Sequence, residues 1–157
     1  MIRSIVILSL TLIAMASCDS NRMFEEFREL PEGWAVVDTA SFPVYLTQGD
    51  KDYRMTTQFR CDISYPFNNL YYHLILRDSR RSVLSSNLEQ VLFFEPKTGK
   101  PLGSGLGDLY SVEQTIDRVV TLNEPDTVWV QLIQYMRQDT LKGIDRVGLR
   151  VDYASAD

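Results

Sequence analysis

The sequence predicts an all-β protein, a single antiparallel β-sandwich of about seven or eight strands, with the jelly roll among the forms it allows. Three observations carry this. Beyond residue 33 apolar side chains recur at every second position, the period of a half-buried strand. Turn signals built on Pro, Asn and Gly separate these runs at short intervals. No amphipathic pattern long enough for three helical turns occurs after residue 18.

The chain opens with one basic residue, Arg3, followed by the apolar stretch Ile5 to Ala14 and then Met15-Ala16-Ser17-Cys18. That order of charge, apolar core and small residues is a secretory signal. A cysteine at the cut makes 1–17 resemble a cleaved bacterial lipoprotein signal peptide, with Met15 where Leu is usual. Cys18 then becomes the lipidated N-terminus, carrying diacylglycerol and a palmitate-type fatty acyl chain. The apolar run is too short for a membrane-spanning helix, which needs about 20 residues. One acyl chain holds a protein only marginally, whereas two or three anchor it firmly.

Residues 18–31 read as a lipid-anchored tether. Phe24, Phe27 and Leu30 fall three apart, which suits one short helical turn. Pro31-Glu32-Gly33 then leads into a β-sandwich domain spanning 32–157. Its clearest strand is 53–63. Tyr53, Met55, Thr57, Phe59, Cys61 and Ile63 share one face, and Arg54, Thr56, Gln58, Arg60 and Asp62 the other. Tyr65 to Asn69 is a turn. Leu70 to Arg77 follows, with Leu70, Tyr72, Leu74 and Leu76 inward. Further strands are expected at Leu88 to Glu95, within Ser111 to Leu122, and at Thr127 to Met136. The last runs from Asp145 to Tyr153, with Val147, Leu149, Val151 and Tyr153 inward.

Composition narrows the function classes. The formal net charge of −5 becomes one unit more negative once Arg3 is removed. Nucleic-acid binding rests on clustered Lys and Arg, so no such partner is expected. The cluster Arg77, Arg80 and Arg81 is interrupted by Asp78 and reads as a solvated strand end. With Cys18 lipidated, Cys61 has no partner for a disulfide and is expected to be buried. One free Cys and one His give no metal-ligand spacing, and no cofactor is expected beyond the lipid.

Several stretches carry a family resemblance: the lipobox with Asp19-Ser20-Asn21, Leu30-Pro31-Glu32-Gly33-Trp34, and Tyr65-Pro66-Phe67-Asn68-Asn69-Leu70-Tyr71. Gly103-Ser104-Gly105-Leu106-Gly107-Asp108 follows, then Tyr135-Met136-Arg137 and Leu141 to Arg150. In order and spacing they resemble the gliding-motility lipoprotein family GldH of Bacteroidota over nearly the whole chain. The resemblance implies a lipid-anchored protein of the cell envelope, placed in the outer membrane. It implies association with gliding machinery and the secretion apparatus on which gliding depends, and so with other envelope proteins. It brings no catalytic residue, and the chain is expected not to be an enzyme.

Other motifs have narrower readings. Gly103, Gly105 and Gly107 lack the spacing and context of a dinucleotide fingerprint. They read as a tight loop using positive φ angles, with Asp108 and Tyr110 as candidate partner contacts. His73 lacks the strained serine elbow of a hydrolase and reads as a packed or rim residue. The carboxylate pairs Glu25-Glu26 and Asp50 with Asp52 sit beside no pocket signal. Trp34, Tyr71, Tyr72, Trp129 and Tyr135 could form a sugar platform, which makes a surface glycan-binding lipoprotein of a polysaccharide-uptake system the alternative function. Asp38-Thr39-Ala40, Asp126-Thr127-Val128 and Asp139-Thr140-Leu141 match a short O-glycosylation pattern. Thr39 and Thr140 are the best candidates, since both are expected in loops.

Overall fold

The computed structural model describes residues 21–154, apart from the side chains of 117–119, and its regular elements are all strands. They are β1 (Arg22–Glu29), β2 (Trp34–Ala35), β3 (Ala40–Leu46), β4 (Asp52–Asp62), β5 (Asn69–Arg77) and β6 (Val83–Leu92). β7 (Ser104–Leu106), β8 (Leu109–Thr121), β9 (Asp126–Gln134), β10 (Thr140–Leu141) and β11 (Ile144–Tyr153) complete the chain. A five-stranded sheet in the order β1-β11-β4-β8-β7 packs on a four-stranded sheet in the order β3-β9-β5-β6, and β2 pairs with β10 at one end. Every pairing is antiparallel.

Without the short β2, β7 and β10, the chain crosses between the sheets after every long strand except at the β5–β6 hairpin. This is the winding of a jelly roll, in which two four-stranded antiparallel sheets face each other. One end of the sandwich holds the start of β1 and the loops at 47–51, 78–82 and 122–125. The other holds the loops at 30–39, 63–68, 93–108 and 135–143.

Alternation places the core. The inward row of β4, Tyr53, Met55, Thr57, Phe59 and Cys61, is buried against the inward rows of β5 and β9. Phe59 centres an aromatic cluster, with ring centroids 5.0 Å from Tyr72, 6.1 Å from Phe93 and 6.4 Å from Trp34. Their polar ends are satisfied inside. Tyr72 shares a 2.8 Å hydrogen bond with Thr57, and Trp34 Nε1 donates to the Asp38 carbonyl at 2.8 Å.

Several expectations need correction. The segment 18–31 is not a tether with a helical turn throughout, because from Arg22 it is the edge strand β1, paired along β11. Its spacing of three arises because Phe24 and Leu30 face inward while Phe27 lies on the outer surface. β3 alternates cleanly, with Ala40, Phe42, Val44 and Leu46 buried, but Pro43 at its centre hides it in the sequence. Proline is tolerated there because β3 is an edge strand. β6 starts at Val83 rather than Leu88, and Ile63 lies beyond β4 and is half exposed. The signal peptide and Cys18 lie outside the described residues.

Candidate functional site

The two outer faces of the sandwich differ in chemistry. On the five-stranded sheet the outward rows run Glu25-Arg150-Thr56-Thr115, Phe27-Gly148-Gln58-Glu113 and Glu29-Arg146-Arg60-Ser111. Polar groups there bind one another. Gln58 donates through Nε2 to Glu25 at 2.9 Å and to Glu113 at 3.0 Å. Arg150 donates to Glu113 at 3.1 Å and to Asp152 at 3.0 Å, and Arg146 pairs with Glu29 at 2.6 Å. Most of the charge on this face is thus paired within it, although Gln58 Oε1, Arg146 Nε and Asp152 Oδ1 have no hydrogen-bond partner among the described residues.

The four-stranded sheet presents the opposite surface. Strand register sets His73 between Leu88 and Ile133, Ile75 between Ser86 and Gln131, and Trp129 between Arg77 and Pro43. At the far end Tyr135 N donates to the Tyr71 carbonyl at 2.8 Å, which holds the two tyrosines side by side. The Tyr135 ring meets His73 edge-on, with centroids 4.7 Å apart. Tyr71 and Tyr135 are 38% and 56% exposed and border, with Leu88, Met136 and Arg137, a shallow depression. The near end is closed by the Arg81 guanidinium, 3.5 Å above the Trp129 ring. Arg77 is engaged too, donating to Gln131 at 2.9 Å and to the Arg81 carbonyl at 3.0 Å. Arg77 and Arg81 thus lie over the near end of this sheet.

Tyr71, Leu88, Leu92 and Tyr135 are thus exposed apolar side chains on this otherwise mixed outer face. The family follows from sequence comparison: the profile of the GldH lipoprotein family matches residues 22–151. The chain belongs to the GldH lipoprotein family. A GldH homolog of Christiangramia forsetii is 26% identical over 156 residues, covering 95% of this chain and 94% of that protein. The gliding motility lipoprotein GldH of Flavobacterium johnsoniae is 24% identical over 153 residues, covering 93% and 94%. Among solved structures, a carbohydrate-binding module specific for non-crystalline cellulose superposes with a TM-score of 0.48 at 14% identity. The superposition covers 84% of this chain and 75% of that one.

Within this GldH-family fold the candidate residues separate. Trp34 and Tyr72 are wholly interior, so a five-ring sugar platform is not assembled; Tyr71, Tyr135 and part of Trp129 remain at the surface. Only Gly107 in the glycine run has positive φ, at 66°, as the first central residue of a two-residue hairpin. Gly103 and Gly105 are needed for close approach instead. A Cβ on them would lie 2.2 Å from the Ser111 carbonyl oxygen and 2.1 Å from that of Leu109. Asp108 is exposed, while Tyr110 is half-buried against Phe94. Sequence reasoning passed over Leu106 at that hairpin tip, 93% exposed and the most solvent-facing large apolar residue among those described. Thr39 is half-buried before β3, and its carbonyl accepts from Arg28 at 2.6 Å. Thr140 is exposed, in β10 rather than a loop.

Proposed function

We propose that this protein is a non-catalytic, lipid-anchored interaction component of the gliding machinery and its associated secretion apparatus, held in the outer membrane through Cys18. The observation that carries this reading is the contrast between the faces. One spends its charges on itself, and the other leaves Tyr71, Leu88 and Tyr135 in solvent. Removing such rings from water on docking contributes roughly 25 cal/mol per Å² of apolar surface. Gentle detergent extraction and cross-linking at native expression test it directly. Recovery of the protein alone would count against it. Fractionation of Cys18→Ser tests the anchor, because the variant should neither be lipidated nor pellet with the envelope.

A second reading has one specific observation behind it. Tyr71 and Tyr135 flank a shallow depression with Arg137 at its rim, a geometry that also suits a sugar ring. Saturable binding of a soluble glycan, lost in Tyr135→Ala, would favour it. O-glycosylation is proposed at Thr39 and Thr140, with Thr140 the more accessible acceptor. An intact mass from the native host without added hexose would dispose of that.

A further inference from the structure

A sheet edge is a row of free backbone N–H and C=O groups, and proteins protect such edges with charge, proline or shortness. The edges here differ in that respect. β1 carries five charged residues in eight, Arg22, Glu25, Glu26, Arg28 and Glu29. β3 has Pro43 at its centre, β7 is three residues long, and the free part of β8 carries Glu113. β6 is the least protected of these edges. It is ten residues long with one charged residue, Glu89, and Val83, Leu84, Leu88 and Leu92 are 43–53% exposed. Among the described residues no strand pairs with its outer side.

Beside this edge the sandwich gapes. Between β6 and β8 lies a mainly apolar cleft of about 270 Å³, lined chiefly by Met55, Leu74, Leu76, Ile116 and Val120, with Ser85, Asn87 and Thr121 also on its wall. A strand added to β6 would place every second side chain over this cleft. We infer that β6 is the receiving edge for an extended strand of another polypeptide, with apolar side chains on its inward row to fill the cleft. The inference rests on the interaction reading above and names the chemistry of the partner. A second copy of this chain fits poorly. The inward row of its own β6 is Ser85, Asn87, Glu89 and Val91, which would bring a carboxylate and two other polar groups to a mainly apolar cleft.

The test uses the full lipidated chain in its host, with a photo-cross-linker at Ser86 on β6, at Tyr135 on the sheet face, or at Glu26 on β1. Cross-links from Ser86 should map to one short, alternating apolar segment of a partner. A synthetic copy of that segment should slow amide exchange across 83–92 at least tenfold. It should bind Leu84→Lys/Ser86→Lys at least tenfold more weakly, at an unchanged melting temperature. Unchanged exchange at 83–92, equal binding by the variant, or cross-links from Ser86 only to lipid or to a second copy would overturn the inference. Capture at Tyr135 but not at Ser86 would overturn it while leaving the docking face standing. Capture at neither would sink both.

Discussion

The ring of Phe27 on β1 lies across the backbone of Gly148 on β11. A Cβ at 148 would come within 2.5 Å of Phe27 Cδ1 and 3.2 Å of Gln58 Oε1. Here glycine provides room for a neighbouring ring, since its φ is not positive. Gly148→Ala should therefore destabilise by about 1–2 kcal/mol through overpacking. The coupling is the diagnostic: Phe27→Ala alone should cost little at a half-exposed site, and Phe27→Ala/Gly148→Ala should recover most of the loss. Chemical denaturation of the four proteins measures this, and strict additivity would refute the contact.

Leu149, next along β11, is fully buried opposite Thr57. Leu149→Asp should cost on the order of 4 kcal/mol, a large share of the 5–15 kcal/mol that holds a domain together. A retained melting temperature would show that the faces of β11 are misassigned.

The β7–β8 hairpin depends on two close approaches to backbone carbonyls that cannot move without parting the strands. Gly105→Ala should speed amide exchange at 104–106 and 109–111 by at least tenfold. Exchange in β4 and β11 should stay as it was, because β7 is a short exposed edge. An unchanged hairpin would contradict the geometry.

What the sequence made legible were the strands with one alternating face, namely β4, β5 and β11, whose inward rows were read correctly within the strands, Cys61 included, although Ile63 lies past the end of β4. β9 was legible as a strand, but with apolar residues on both faces its inward row stayed open. β1 was hidden because Arg28 uses its inward position to bond Asp38 and Thr39 rather than to pack, which breaks the period. β3 was hidden by Pro43, whose meaning depends on its lying at an edge. Both are facts of tertiary position. The candidate face was half legible: in any strand over 127–136 Trp129, Ile133 and Tyr135 share one side, although Tyr135 lies just past the end of β9. That this side is bare and that Tyr71 stands beside Tyr135 depend on the pairing of distant strands.

Burial pushes the Cys61 thiol up to about 12, with Asp145 and Asp62 adding repulsion, and burial likewise raises Tyr65 and Tyr72. The folded chain then keeps protons that the unfolded chain loses. Stability is complete below pH 9, the ordinary thiol value, and falls as pH rises toward 12. Each group steepens the fall by up to about 1.4 kcal/mol per pH unit. Urea titrations from pH 7 to 11 should show the decline beginning near 9. Cys61→Ala should remove its first part, before the tyrosines titrate. Parallel curves for parent and variant would contradict a buried thiol.

The docking face is tested most directly by Tyr71→Glu/Tyr135→Glu, expressed from the native locus and compared with the parent by quantitative co-purification after gentle extraction. Both side chains lie outside the buried core and are partly exposed, so abundance, melting temperature and envelope fractionation should hold, while co-purifying envelope protein falls at least tenfold. Undiminished recovery of the same partners by the doubly charged variant would show that they bind elsewhere.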